Sequence, residues 1–449
     1  MSEAEVSEDF IQRMTRRAAP AADAIANNKH INAIQAGMCA TIAVMLVGSI
    51  FMIIKTPPVN QTLLDSGGFW SLFEGWYGFS RKQADTLTTA YNMTIGLLAL
   101  VAAFSIAYEL AKRFKLPELS SGIISVITFL LVCAPMTTYK LADGTDLSAL
   151  SSESLGASGL FTAILIGLLS VDIAKFCMDR KIYIRLPDVV SAPVRDAFSS
   201  LIPMLLNVLI FGGISLFTQT QFGLLLPEAV MKLLAAPLSS INTIQGVFLM
   251  LFLRSFFWIF GINGSQVLYP ITYPLTLMVV TANATLVTKG MPPVFSPIML
   301  INADAMIGGT GNTLGFSILC LRSKSKRLVA IGRASIVPSL FQHNEVAILG
   351  APVSYNPILA VPFVGGTLIV GLLMWLGYAS GFLIPRYVMS VGNIPIGFKT
   401  FLEAMSWQTF IFPFLLIPVL MAVWYPFFKV YEKKLVHAET SMELATQKV

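Results

Sequence analysis

Apolar runs of about 20 residues recur along the whole chain, each long enough to cross a bilayer core of roughly 30 Å. In lipid the backbone must satisfy its own polar groups, so runs of this length are expected to be helices. With 55% hydrophobic and only 12% charged residues, against roughly 25% charged in soluble domains, the chain has too little polar sequence for a separate soluble domain. The expectation is an all-α polytopic membrane protein. Ten spans are read at about Ile31–Ile54, Leu87–Ala111, Ser120–Pro135, Gly159–Met178, Phe198–Thr218, Ile241–Phe260, Gln266–Val287, Met299–Leu321, Ile358–Leu376 and Gln408–Phe428.

The distribution of Lys and Arg orients these spans. Lys112, Arg113 and Lys115 follow the second span, Lys175, Arg180, Lys181, Arg185 and Arg195 the fourth, and Arg322 to Arg333 the eighth. All fall on one side, which the positive-inside rule makes cytoplasmic. The alternate connections Pro57–Thr86 and Thr137–Ser158 are poor in cations, and Lys429, Lys433 and Lys434 close the last span, so both termini are expected in the cytoplasm. The net charge of +6 is spread between spans. It is read as attraction to anionic lipid and not as a nucleic-acid footprint. Met1–Asn28 mixes acidic and basic residues without an apolar core, so it is not read as a signal peptide. Cys39, Cys133, Cys177 and Cys320 are spread singly, without metal or redox spacing, and neither a metal nor a cofactor is expected.

The halves differ. From Phe257 onward Gly, Pro, Asn and Thr interrupt the apolar runs: Gly261-Ile262-Asn263-Gly264 ends the sixth, Pro292-Pro293 and Pro297 break the entry to the eighth, and Gly308–Thr313 lies inside it. Discontinuous membrane segments mark transport sites. Packing through small residues explains scattered glycines, but not glycines clustered with amides and hydroxyls that need partners at membrane depth. A hydroxyl-rich substrate supplies them. The stretch Phe341–Pro357 adds a carboxylate, Glu345, on broken backbone. An acid there reads as a substrate or ion site, the alternative being a water-exposed loop. Arg254 lies within the sixth span, four residues before Trp258 on the same helical face. It is read as stacking on Trp258 or snorkelling toward the surface, with contact to Glu345 or to incoming phosphate as the alternative.

At these residues the chain resembles the membrane subunit, enzyme IIC, of the phosphoenolpyruvate-dependent sugar phosphotransferase system, in its lactose, cellobiose and diacetylchitobiose branch. The matching stretches are GGTGNTLGF at Gly308–Phe316, KSKRLVAIGR at Lys324–Arg333, Phe341–Phe363 with its Asn344-Glu345 pair, ASGLFTAILIGLLSVDI at Ala157–Ile173, RLPDVV at Arg185–Val190 and NNKHINAIQAG at Asn27–Gly37. The resemblance implies a homodimer in a bacterial cytoplasmic membrane, with residues 31–240 forming the dimer half and 241–428 a substrate half with two re-entrant hairpins. Residues 1–30 and 429–449 are expected to be cytoplasmic segments. It also implies that a separate IIB protein, itself charged by IIA, phosphorylates an imported disaccharide at its 6-hydroxyl.

Three departures from the family pattern stand out. Asn263 takes the place of a histidine in Trp258-Ile259-Phe260-Gly261-Ile262-Asn263-Gly264, Val346 follows the Asn-Glu pair where proline is usual, and Ser191-Ala192 replaces a proline pair. A carboxamide hydrogen-bonds but does not share a proton. His343, two residues before Glu345, is a candidate replacement imidazole. The expected site comprises Glu345 as base, oriented by Asn344, with Asn263 and Gly264 at the sugar ring and Gly309 and Thr310 lining the cavity. Trp258 and Tyr269 are sugar platforms or, equally, interface anchors. Rival readings are a non-phosphorylating facilitator, sensor or partner-binding protein, and an ion-coupled transporter using Asp304 and Glu345.

Overall fold

A computed structural model describes residues 27–446, apart from 58, 60, 66, 352, 355 and 391–393. Most of the charged opening segment Met1–Asn28 therefore lies outside the described residues. Among those described, seven helices are long and apolar enough to cross a membrane, or eight if the bent pair Leu226–Ile241 and Ile244–Ile259 counts as one span. The difference from ten lies in two places. Glu118–Cys133 is an apolar helix of only 16 residues. The run Met299–Leu321 is not one helix: a 3₁₀ stretch, Pro297–Asp304, passes through turns into the helix Leu314–Leu321.

The chain forms two compact units. One comprises residues 26–239 with 273–281, the other residues 240–272 and 282–449 besides the opening segment.

In the first unit, small residues let helices approach closely. Ala33, Ala107, Leu110, Ala111 and Val171, from the helices Lys29–Ala40, Leu98–Phe114 and Leu160–Asp179, form a fully buried cluster. Between apolar faces in lipid, such packing and interhelical hydrogen bonds supply the attraction. Ser105 Oγ donates to the Gly37 carbonyl at 2.8 Å and Ser125 Oγ to the Ala103 carbonyl at 2.8 Å. The family-like stretches at Asn27–Gly37 and Ala157–Ile173 meet where His30 Nε2 lies 2.9 Å from Asp172 Oδ1. The connection after Cys133 adds the antiparallel hairpin Met136–Lys140 with Asp146–Leu150, a small β element that span reading passed over.

In the second unit, Phe316, Trp424 and Phe428 are buried against one another, with ring centroids 4.9 Å apart for Phe316 and Trp424. Trp424 and Phe428 belong to the helix Trp407–Thr446, whose 40 residues run past the expected end at Phe428. At 1.5 Å per residue it is roughly 60 Å long, about twice the hydrocarbon core. Its distal half has a defined task. Glu432 Oε1 accepts from Ser323 Oγ and the Lys324 amide, both at 2.7 Å, and Glu439 accepts from Ser325 Oγ and the amides of Lys326 and Arg327. Glu439 thus holds orphan N–H groups that open the helix Lys326–Leu340, while Glu432 fixes the turn that leads into it.

Candidate functional site

The site is built where regular structure stops. The segment from Ala305 to Thr313 folds on itself through its own amides. Asn312, fully buried, accepts from the Ile307 amide at 3.0 Å and donates to the Ala303 carbonyl at 2.8 Å, and Thr313 Oγ1 donates to the Gly308 carbonyl at 2.8 Å. The Gly311 amide donates to the Asp304 carbonyl at 2.9 Å. The polar cluster in this apolar run is therefore the internal scaffold of a non-helical turn, which answers the requirement for buried partners.

Gly309 makes the next contact possible. It has φ 82°, and a Cβ there would lie 2.6 Å from the Asn344 carboxamide, so both backbone conformation and close approach require glycine. Asn344, 4% exposed, donates through Nδ2 to the Thr310 carbonyl. The Gly309-Thr310 turn and the Asn344 segment are thereby one unit of structure. Glu345 follows as the first residue of the short helix Glu345–Gly350. Its side chain is exposed and makes no hydrogen bond or ion pair among the described residues. Gln342, at φ 64°, turns the chain into this segment, a left-handed conformation that costs a non-glycine residue about 1–2 kcal/mol. His343 is exposed, with Nδ1 3.3 Å from the Phe341 carbonyl.

A second cluster adjoins the turn at Asp304. Arg254 Nε lies 3.1 Å from Asp304 Oδ2, Ser265 Oγ donates to the same oxygen at 2.7 Å, and Arg254 Nη1 donates to the Ile301 carbonyl at 3.1 Å. The Arg254–Asp304 contact is an ion pair and not a straight hydrogen bond, because the Nε–H is not directed at the oxygen. This corrects the reading of Arg254 as stacking on Trp258 or snorkelling: its guanidinium is buried against a carboxylate. Gly264 lets the start of its helix pack against the Arg254 backbone, since a Cβ there would lie 2.2 Å from the Arg254 carbonyl. Asn263 is the N-cap of the helix Gly264–Thr288, its Oδ1 accepting from the Gln266 amide at 3.1 Å. Trp258 receives Ser354 Oγ on its carbonyl at 2.8 Å, while its buried Nε1 has no partner among the described residues.

The structure thus joins Gly309, Thr310 and Asn344 directly, with Glu345 beside them, and links Gly264 to the turn through Arg254, Ser265 and Asp304. The ring of His343 is set against the Phe341 carbonyl of its own segment. Asp304 as the partner of Arg254, and Ser265 as a second donor to the same carboxylate, escaped sequence reasoning. The only signal was a charge deep in an apolar run that needed a counter-charge somewhere.

A multi-pass membrane protein with a buried polar turn locked to an acid-bearing segment is a transporter-like architecture. The chain belongs to the phosphotransferase-system EIIC family, whose model matches residues 35–367. It is 27% identical to the lichenan permease IIC component of Bacillus subtilis (strain 168), over 96% of each chain. It is 28% identical to the lactose-specific EIICB component of Lacticaseibacillus casei, over 94% of this chain and 71% of that one. Among solved structures it resembles the transporter ChbC, the IIC component from the N,N'-diacetylchitobiose-specific phosphotransferase system, with a TM-score of 0.83 and 27% identity over 94% of this chain and 98% of that one.

Proposed function

We propose that this chain is a sugar-importing IIC permease of the bacterial cytoplasmic membrane, taking a disaccharide of the cellobiose, lactose or diacetylchitobiose type and presenting it to a separate phosphorylated IIB protein. The observation that carries the reading is the locking of Asn344 onto the Thr310 carbonyl, which leaves the adjacent Glu345 carboxylate exposed and uncommitted. The IIC and EIICB names of the relatives support it.

The chemistry asked of the site is modest. Phosphoryl transfer depends chiefly on positioning and charge stabilisation. As the phosphorus–sulfur bond on the IIB cysteine breaks and the phosphorus–oxygen bond to the 6-hydroxyl forms, the hydroxyl proton passes to Glu345, help worth about 10²–10⁴-fold. Asn344 positions Glu345, the Gly309-Thr310 turn forms part of the sugar site, and Trp258 offers its ring face. Asn263 and Gly264 bind indirectly, by shaping the start of their helix. The discontinuous segments 297–321 and 341–357 are read as the two re-entrant hairpins, with residues 31–240 forming a homodimer contact and both termini in the cytoplasm.

One observation favours a non-phosphorylating facilitator or sensor: where relatives of this branch are expected to carry an imidazole, Asn263 uses its carbonyl oxygen as a helix cap. The ion-coupled alternative loses support, because Asp304 is held by Arg254 and Ser265. The test is to supply membranes bearing this chain with a phosphorylated IIB partner and labelled disaccharides. Sugar phosphate is the expected product, and uptake without it supports the facilitator.

A further inference from the structure

Arg386 has no partner where it most needs one. It is 4% exposed, yet its Nε and Nη2 are buried without a hydrogen bond, and its guanidinium makes no ion pair among the described residues. Its backbone, by contrast, is pinned: Asn283 Nδ2 donates to the Arg386 carbonyl at 3.1 Å, and the following amides of Tyr387 and Val388 donate to the Glu403 carbonyl at 3.0 and 3.1 Å. Arginine does not deprotonate in proteins, and a buried charge left unpaired is among the heaviest penalties a fold carries.

The side chain lines a void of about 30 Å³ together with Lys399, Gln342, Glu403, Thr400 and Tyr378. A water needs roughly 10–15 Å³ of such space, so the void takes one small functional group and not a sugar ring. The charges facing it are two cations, Arg386 and Lys399, against one carboxylate. Glu403 Oε1 is already used by Ser390 Oγ at 2.6 Å, and Lys399 Nζ donates to Gln342 Oε1 at 3.2 Å. The planar fork of a guanidinium matches a carboxylate or phosphate in bidentate fashion.

We propose that this void is the binding site for an oxyanion, a carboxylate or a phosphate, borne by the sugar ligand. The link to a sugar rests on the function proposed above and on position. Gln342 stands three residues before Glu345, and the Ile396 amide donates to the Leu340 carbonyl at 3.0 Å, which places the void against the segment that carries Asn344 and Glu345. The chain then discriminates in favour of an acidic disaccharide, or retains the phosphorylated product, through Arg386.

Calorimetric titration of the full chain in detergent tests this, with cellobiose, its uronic-acid analogue cellobiouronic acid, cellobiose 6-phosphate and inorganic phosphate as ligands. At least one anionic sugar is expected to bind about tenfold or more tightly than cellobiose, the worth of one charge-assisted pair. Arg386→Gln should bring that ratio to about one while leaving cellobiose affinity unchanged. Lys399→Gln should lower it by a smaller factor and serves if Arg386→Gln does not fold. Preference for the uronate assigns the site to substrate, and preference for the 6-phosphate to product. Equal affinities for neutral and anionic sugars, binding of inorganic phosphate alone, no binding of any ligand, or an anion preference that survives both substitutions would each overturn the proposal. Phosphoryl transfer from IIB to cellobiose is a separate readout, so failure of the permease reading and failure of this site are distinguishable.

Discussion

Arg254 and Asp304 form an ion pair 3.1 Å across, with side chains 12% and 3% exposed, between a membrane helix and the end of a 3₁₀ stretch. The aspartate also accepts from Ser265 Oγ, and its own carbonyl receives the Gly311 amide. The pair therefore ties the helix Ile244–Ile259 and the start of Gly264–Thr288 to the turn that holds Asn344.

Removing one partner leaves a buried charge, which costs about 3–5 kcal/mol. Arg254→Met and Asp304→Leu are each expected to lower the melting temperature in detergent strongly. The double substitution should recover much of the loss, because an apolar pair of similar volume carries no uncompensated charge. A double variant as unstable as the sum of the singles would assign the two residues separate roles.

Gly309→Ala is expected to abolish uptake and reduce the yield of folded protein. Its φ of 82° strains any L residue, and its Cβ would meet the Asn344 carboxamide at 2.6 Å. Gly365→Ala, within the helix Pro357–Ala379 and with nothing within 4 Å of its Cβ, is the control and should be neutral or slightly stabilising. Equal behaviour of the two, read as folded yield and labelled-sugar uptake, would show that the turn tolerates a side chain.

The broken backbone at Gly308–Thr313 and at Gln342–Asn344 was legible because Gly, Asn and Pro clustered at membrane depth are incompatible with a long regular apolar helix. The length of the apolar runs located the long helices, since a lipid-spanning backbone has to pair its own polar groups. Partners distant in sequence were not legible. Arg254 gave no sign that its counter-charge was Asp304, since Asp304 lay in a run that hydropathy alone reads as a span. Asn263 was read by the chemistry of a substituted histidine, whereas its immediate contact is the Gln266 amide, a capping role that Asn at a helix start also signals. The long terminal helix passed Phe428 unnoticed because, beyond the apolar run, it is held by tertiary contacts such as those of Glu432 and Glu439 to the basic segment.

Those contacts sharpen a topological expectation. Lys324 is exposed, and only its backbone amide reaches Glu432. Lys324→Cys should therefore be labelled by a membrane-impermeant maleimide in inverted membrane vesicles but not in intact cells, as the basic-loop asymmetry requires. Labelling in intact cells would reverse the orientation assigned to the chain.

His343 is exposed with its Nδ1 beside the Phe341 carbonyl of its own segment, and the proposed reaction gives the hydroxyl proton to Glu345 alone. His343→Gln is expected to change IIB-dependent sugar phosphorylation by no more than about twofold, well below the 10²-fold or greater loss of a general base. A loss on that larger scale, in protein that still binds sugar, would place the imidazole in the reaction.

Glu345 separates the phosphorylating permease from its rival. The carboxylate sits on a six-residue helix whose entry is fixed by the Asn344 contact, so Glu345→Gln changes charge while keeping shape and the surrounding structure. If Glu345 takes the hydroxyl proton, sugar phosphorylation should fall by about 10²-fold or more while sugar binding weakens much less, since the amide still hydrogen-bonds. Asn263→His adds the missing imidazole at the head of the helix Gly264–Thr288, where Asn263 now caps the Gln266 amide. It should raise phosphorylation in the parent chain and rescue Glu345→Gln only in part, at the cost of a weaker cap, worth about 1 kcal/mol. The IIB protein used must first be shown active on a related membrane subunit. Sugar binding without phosphorylation in the parent, in Glu345→Gln and in Asn263→His would then assign this chain to facilitated transport or sensing.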